Sequence, residues 1–410
     1  MPYILKNVIF KANEKLKSIE IYFLPLVAFF ILFSTAVVNF FILSSVIITL
    51  LRIFENKYFL NLISKKFMLY GILIFFFLCL SSYYSIGNFE TIFITLKKYV
   101  KFLYIPILFY SIKIHKNHYL IINYFLRGAA IVLFLSYLKY FAIIDFTNLY
   151  NYFDMNLVGT LTKASVFQTS IVHGAIFSFV FYLSVFMARK DNNFFYYLFS
   201  IFCLFNVIFM NDSKNSYIIA ILLIFLVIYF YFYKRKYVVT ILSFLFLFII
   251  SMSPLSETFI KSLNEASSDV MLLTQNNFTS STGLRALWAI NGFYNLYNKP
   301  ILGSGVGSYY KTIEDFVDKK NIDVQSHLAI SNNPHNEFVS ISTQLGLFGL
   351  ILYILFLYRI FKESLGNFLG LGVFVIISVS SFFNSALYDN VFGLFIVLIL
   401  SLVYQKDLYE

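Results

Sequence analysis

Residues 21–51 read IYFLPLVAFFILFSTAVVNFFILSSVIITLL, a run of 31 residues without a charged side chain. A helix needs about 20 apolar residues to cross the ~30 Å hydrocarbon core of a bilayer. The run is therefore too long for one untilted span. Divided near STAVVN (34–39), it supplies two membrane helices joined by a short turn. The whole chain agrees with that reading. Of its 410 residues 60% are hydrophobic and 12% charged, with a mean hydropathy of +0.79. A soluble domain carries about 45–50% apolar and about 25% charged residues. This chain has too little polar surface to cover a water-soluble particle.

Further apolar runs lie at 67–86, 92–111, 119–140, 170–188, 194–210, 215–233 and 237–253, and after a polar interval at 336–358, 366–383 and 387–405. With the pair at 20–35 and 37–51, they predict an all-α polytopic membrane protein of twelve spans. Residues 1–253 hold spans one to nine, 254–335 form one long outer loop with an interfacial helix, and 336–410 hold spans ten to twelve. All belong to a single membrane domain. The first twenty residues carry Lys6, Lys11, Lys15 and Lys17 and lack a cleavage-site pattern, so no cleavable leader is expected.

Charge sets the orientation. Short cytoplasmic loops collect Lys and Arg. With twelve spans both termini share a side, and the segments on that side hold 18 of the 31 basic residues. The short loops opposite hold two, Lys163 and Lys214. Both termini are thus expected in the cytoplasm and loop 254–335 outside. The net charge of +11 then reflects this placement rather than a nucleic-acid partner. Cys79 and Cys203 lie inside apolar runs, which gives neither a disulfide framework nor a metal-ligand cluster.

The unusual polar residues gather at the outer face. Lys163, Lys214, Arg285, His335 and Asp389 map there, and Lys97, Lys98, Lys101 and Lys139 fall in the outer halves of their spans. Ionisable groups in a membrane mark function unless they snorkel to the headgroups, and for these last four lysines both readings stand. Cations at an outer leaflet suit an anionic ligand such as a lipid diphosphate, with Arg giving bidentate contacts and Lys a point charge.

Two stretches carry the sharpest signals. In TGLRALWAINGFYNLYNKPILGSGVGSYY (282–310) an amphipathic helix begins at Arg285, carries the single Trp, and is expected to lie at the membrane interface. GSGVG (303–307) lacks the βαβ context of a nucleotide-binding loop and reads as a flexible turn. In NNPHNEFVSISTQLG (332–346) Asn333 suits a helix N-cap and Pro334 the first helical position. His335 and Asn336 would then occupy the first turn of span ten, where the helix dipole keeps imidazole neutral. Gly346 and Gly349 would allow close helix packing. From spacing alone, a capping histidine is the plainer reading of His335.

In ordered pieces from 163 to 393 the chain resembles the O-antigen ligase/polymerase family of membrane glycosyltransferases. PHNEFVSISTQLGLFGL (334–350) resembles the family's His-Asn motif followed by Gly-x-x-Gly. LRALWAINGFYNLYNKPILGSGVGSYY (284–310) resembles its Arg-led helix ending in Pro-x-x-Gly-x-Gly. NDSKNSYIIA (211–220) resembles a Ser-Arg segment with Lys214 where Arg is usual. KASVFQTSIVHGAIFS (163–178) and SSFFNSALYDNVFG (380–393) resemble flanking pieces.

The resemblance implies a GT-C-type fold in the bacterial inner membrane and glycan transfer at its periplasmic face. The donor would be a glycan on undecaprenyl diphosphate and the acceptor the lipid A-core, without a metal or other cofactor. The first outer turn, around 35–37, has no acidic residue to build an Asp-x-Asp metal site. On this reading His335 is the general base and Arg285 neutralises the leaving group. Lys214, Lys163, Lys97 and Lys101 add charge for the diphosphate, while Asn336 and Asp389 orient a partner or the acceptor. A polymerase joining lipid-linked repeats shares the architecture. A non-enzymatic transporter would place charge near the bilayer midplane, often with inverted repeats, and neither is evident here.

Overall fold

The computed structural model describes residues 20–56, 63–144, 146, 164–211, 213–232, 278, 281–320, 322 and 330–409. Among them every regular element is helical. In chain order they are α1 (Phe23–Phe30), α2 (Thr35–Asn56), α3 (Lys66–Ser81), α4 (Phe89–Tyr99), α5 (Lys101–His115), α6 (His118–Tyr140), α7 (Ser170–Lys190), α8 (Phe194–Phe205), α9 (Lys214–Phe232), α10 (Ser281–Asn298), α11 (Tyr309–Lys320), α12 (Glu337–Ser364), α13 (Phe368–Phe383) and α14 (Asn390–Val403).

Five of these regions are long and apolar enough to cross a membrane: Thr35–Ile53, His118–Tyr140, Ser170–Lys190, Lys214–Tyr231 and Glu337–Ser364. Shorter apolar helices run over Lys66–Ser81, Phe194–Met210, Phe368–Phe383 and Asn390–Val403. The span expected at 92–111 is interrupted at Val100. The span expected at 237–253 lies outside the described residues, as do Lys163 and part of loop 254–335. Among the described residues the protein is thus all-helical, with the apolar helices of a membrane protein.

The chain divides into two compact units. One comprises residues 1–64, 103–213 and 394–410. Here the long apolar run breaks close to where its sequence suggested, since Phe30 O accepts from Phe33 N (2.8 Å) and Ser34 N (3.0 Å) before α2 begins. Helix α1 packs on α6, and at Gly128 an added Cβ would lie 2.5 Å from Phe29 O. Only a glycine lets the two backbones approach so closely. Helix α7 packs on α8, which continues as a π-helical turn over Asn206–Met210. Asn206 meets buried His173 (3.0 Å) and Ser136 (2.8 Å) there, so three polar groups satisfy one another inside an apolar bundle.

The other unit comprises residues 65–102 and 214–393. Helix α12 is its axis and packs on α3, α13 and α10. It is not continuous: Gly346 adopts φ 65°, ψ −157°. The segment after α10 enters this break. Pro300 O accepts Leu347 N (2.7 Å) and Ile301 O accepts Phe348 N (3.4 Å). On the other side of the break Thr343 O accepts Ser304 N (2.8 Å) and Gln344 O accepts Gly305 N (2.9 Å). An intact helix would pair Leu347 N with Thr343 O and Phe348 N with Gln344 O. Two intrahelical bonds are thus exchanged for four bonds to the inserted loop, which keeps these four backbone groups of α12 paired.

This corrects two sequence expectations. Gly346 does not serve helix–helix packing; it makes room for a backbone, with Ile301 O 2.4 Å from where its Cβ would be. GSGVG is not a flexible turn, because Gly303, Gly305, Val306 and Gly307 are buried and bonded. Val306 N donates to Ser81 Oγ (3.0 Å) and Gly307 N to Gln344 Oε1 (3.0 Å).

Gly346→Ala places a Cβ both in a left-handed conformation and against the Pro300–Ile301 carbonyls, and we expect it to cost ~3 kcal/mol or more. Gly366→Ala, at φ 80° with open space around it, should cost only ~1 kcal/mol. Thermal unfolding of the two variants in detergent should rank them in that order; equal midpoints would contradict the inserted-loop geometry.

Candidate active site

The Arg-led helix forms as its spacing suggests, and α10 carries Leu284, Leu287 and Trp288 on one face. That face packs into a local core with Tyr309, Ile313, Phe316 and Val317 of α11, and Trp288 is 6% exposed. Burial against α11 fixes this face of α10, while Ile290, Phe293 and Tyr297 of the same helix are exposed. Arg285, one turn before Trp288, is exposed.

The entry to α12 also departs from expectation. The helix starts at Glu337, and its N-cap is Asn336, whose side chain accepts Val339 N (3.1 Å). Asn333 turns its side-chain oxygen back to His335 N (3.0 Å), a local Asx turn competing with the capping role expected of it. His335 therefore stands outside the helix in a left-handed conformation, φ 47°. That conformation is strained for a side-chain-bearing residue, and such strain concentrates at functional positions.

The imidazole of His335 lies over Trp288, with ring centroids 5.2 Å apart and tilted by 32°. Its Nδ1 is 3.2 Å from Asn384 Oδ1. Burial lowers the imidazole pKa, and the positive charge of Arg285 acts in the same direction; the Asn384 bond and Asp389 oppose them. His335 is thus held neutral near pH 7, able to accept a proton.

Beneath this pair lies a polar network that the sequence did not announce. The buried Glu337 carboxylate accepts from Tyr99 OH (2.7 Å) and Leu387 N (2.9 Å). Tyr99 OH also meets Ser340 Oγ (3.0 Å), and Gln344 Nε2 donates to Ser340 (2.9 Å to its O, 3.1 Å to its Oγ). Through Gln344 the network reaches Gly307 N (3.0 Å). An acidic residue at the mouth of an apolar run was the available signal; Tyr99, Ser340 and Asn384 offered none.

The remaining candidates separate. Asn336 belongs with His335, and its Nδ2 donates to Phe382 O (3.0 Å). Asp389 caps α14 by accepting Phe392 N (2.8 Å). Lys101 is buried, and its Nζ donates to Leu387 O (2.8 Å) and Asp389 O. Its ammonium holds the Leu387–Asp389 carbonyls instead of facing a ligand, so the expected diphosphate contact is not available to it. Lys97 and Lys214 are exposed. Neither forms a hydrogen bond or ion pair with His335 or Arg285 among the described residues.

The class this arrangement defines is a helical membrane protein with a neutral histidine stacked on a buried tryptophan and an arginine whose charge reaches that histidine. Residues 199–354 match the family model described as O-Antigen ligase, which supports an O-antigen ligase-like family. The match covers Lys214, Arg285 and His335 and stops short of Asn384 and Asp389. No curated protein matches the chain.

Glu337→Ala leaves the Leu387 N–H and the Tyr99 hydroxyl without their acceptor in a buried place. Each such group costs ~1–3 kcal/mol, so the variant should unfold in detergent at a clearly lower temperature. An unchanged midpoint would show that water takes the carboxylate's place.

Proposed function

We propose that this protein is a GT-C-type membrane glycosyltransferase of the bacterial inner membrane. It moves a polysaccharide from undecaprenyl diphosphate to the lipid A-core at the periplasmic face, with inversion and without a metal. The observation that carries this reading is that His335 stacks on Trp288 while the charge of Arg285, one turn earlier on the same helix, acts on its imidazole. A neutral imidazole can take a proton, and a nearby guanidinium can receive developing negative charge; glycosyl transfer from a diphosphate needs both.

His335 accepts the proton of the acceptor hydroxyl as its oxygen attacks the anomeric carbon. The bond from that carbon to the diphosphate oxygen breaks, and the lipid diphosphate leaves with the electron pair. Arg285 offsets the charge on the departing oxygens, supported by Lys214, Lys163 and Lys97. Lys101, tied to backbone carbonyls, has a structural part. Asn336 and Asp389 hold the frame as helix caps.

A cleft of about 360 Å³ between α10 and α11 adds support for a glycan substrate. Asn298, Lys299 and Lys319 line it beside Tyr294, which combines hydrogen-bonding groups with an aromatic face. It opens about 15 Å along α10 from Arg285, counting ten residues to Asn295.

A strain lacking the gene, complemented with His335→Asn, tests the assignment. Asn tolerates the left-handed backbone, so the protein should accumulate normally while transfer falls ~10²–10⁴-fold. Lipid A-core should then lack attached polymer, and polymer should collect on the carrier lipid. A single repeat left on the core would indicate a polymerase instead, and a near-normal ladder would remove His335 as the base.

The pH dependence has a definite sign. The imidazole pKa lies below its ordinary value, so the active neutral form persists to lower pH than a free histidine allows. Transfer by purified protein should fall only as pH drops below ~6.5, and a loss already complete at pH 7 would contradict the buried neutral imidazole.

A further inference from the structure

Asn384 sits between α13 and α14, buried, with its Oδ1 3.2 Å from His335 Nδ1. The same oxygen accepts the backbone N–H of Ser385 at 2.9 Å. A backbone N–H only donates, so the atom facing Ser385 must be the amide oxygen rather than the amide nitrogen. The orientation of the Asn384 amide is thereby fixed, a point otherwise open for Asn and His side chains. An amide oxygen has no hydrogen to give. The hydrogen in the Asn384–His335 contact must come from Nδ1, which leaves the lone pair on Nε2.

We propose that Asn384 is a positioning residue that fixes His335 in the Nδ1–H tautomer and so makes Nε2 the atom that takes the acceptor's proton. This rests on the reading of His335 as general base. Nε2 has no hydrogen-bond partner among the described residues, as a proton acceptor awaiting substrate requires.

The contact is held from both sides. Asn336 Nδ2 donates to Phe382 O (3.0 Å), and Glu337 Oε2 accepts Leu387 N (2.9 Å). Residues 335, 336 and 337 are thus each tied to the same turn, at 384, 382 and 387. The turn is closed on itself by Asn384 N to Ser380 O (2.7 Å) and Asp389 N to Ser385 O (2.9 Å), and Lys101 Nζ gathers its Leu387 and Asp389 carbonyls. The Trp288 ring covers the imidazole from α10. With its ring held between Trp288 of α10 and Asn384 of the turn, His335 cannot swing to trade one nitrogen for the other without breaking these contacts. A histidine serving only as a loop anchor would function with either nitrogen.

The charged groups acting on the imidazole are Arg285 from α10 and Asp389 from the turn. On α12 itself Glu337 lies two residues away, its oxygens taken by Tyr99 and Leu387. An aspartate at 384 would keep an oxygen toward both Nδ1 and Ser385 N while adding a negative charge.

The test is nitrogen NMR of ¹⁵N-histidine-labelled protein in detergent or nanodiscs, without substrate. The chain has five histidines, and the His335 signals are those missing from His335→Asn. In the wild type at pH 8, Nδ1 should resonate as a protonated and Nε2 as an unprotonated nitrogen. Asn384→Ala should lose this bias, and its transfer rate should drop with little change in KM. Asn384→Asp should keep the Nδ1–H tautomer and raise the imidazole pKa by about one unit or more, moving the acidic limb of the transfer profile upward by the same amount. A wild-type His335 protonated on Nε2 would overturn the proposal, as would an Asn384→Ala protein with an unchanged tautomer. Should the Ala variant fail to fold, the wild-type tautomer and the Asp variant decide. Because the tautomer is read without substrate, a correct tautomer in a protein that transfers no glycan would overturn the function and leave the positioning intact.

Discussion

The unit that holds the candidate site depends on a helix that gives up its own hydrogen bonds. At Gly346 the backbone of α12 opens, and the Pro300–Gly305 segment supplies the partners that the helix no longer provides to itself. A buried backbone group left unpaired costs free energy comparable to a lost hydrogen bond, so neither the break nor the loop is stable without the other. The loop follows α10 directly, so this exchange fixes α10 against the outer turns of α12. Every later feature follows from that pairing: Trp288 meets His335, and Arg285 is carried with it.

The polar residues beneath the site divide the labour by hydrogen-bond type. Buried Glu337 gathers donors from Tyr99 and Leu387. Buried Lys101 gathers acceptors from Leu387 and Asp389. The two meet at Leu387, one on its N–H and one on its carbonyl. A turn between two apolar helices is thereby held from two sides by buried side chains.

Hydropathy made the helical class and most of the helices legible, including the break near residue 34, because lipid and protein interior impose the same demand for apolar length. Boundaries set by local competition were less legible. Asn333 and Asn336 are chemically alike, and only the Asx turn at His335 decides which of them caps α12. The glycines were visible but their purpose was not, since a glycine that admits another backbone looks the same in sequence as one that loosens a turn. Trp288 and Lys101 were read by residue type, as an interface residue and a ligand-facing cation, whereas their contacts are with α11 and with the Leu387–Asp389 turn. The arginine and histidine gained their roles from stretches that resemble the family's, since spacing alone favoured a capping histidine; Asn384 lay in another such stretch, but its part follows only from the atom it touches.

The break in α12 also divides that helix by length. The eighteen residues from Leu347 to Ser364 rise about 27 Å, close to the ~30 Å thickness of a bilayer's hydrocarbon core. The nine residues from Glu337 to Leu345 add about 13 Å more. Yet Arg359, Lys362 and Glu363 lie in that longer piece, and the uncharged residues of α12, 338–358, straddle the break. The apolar length of the span is therefore shared between the two pieces, and neither alone supplies the ~20 apolar residues that a crossing needs.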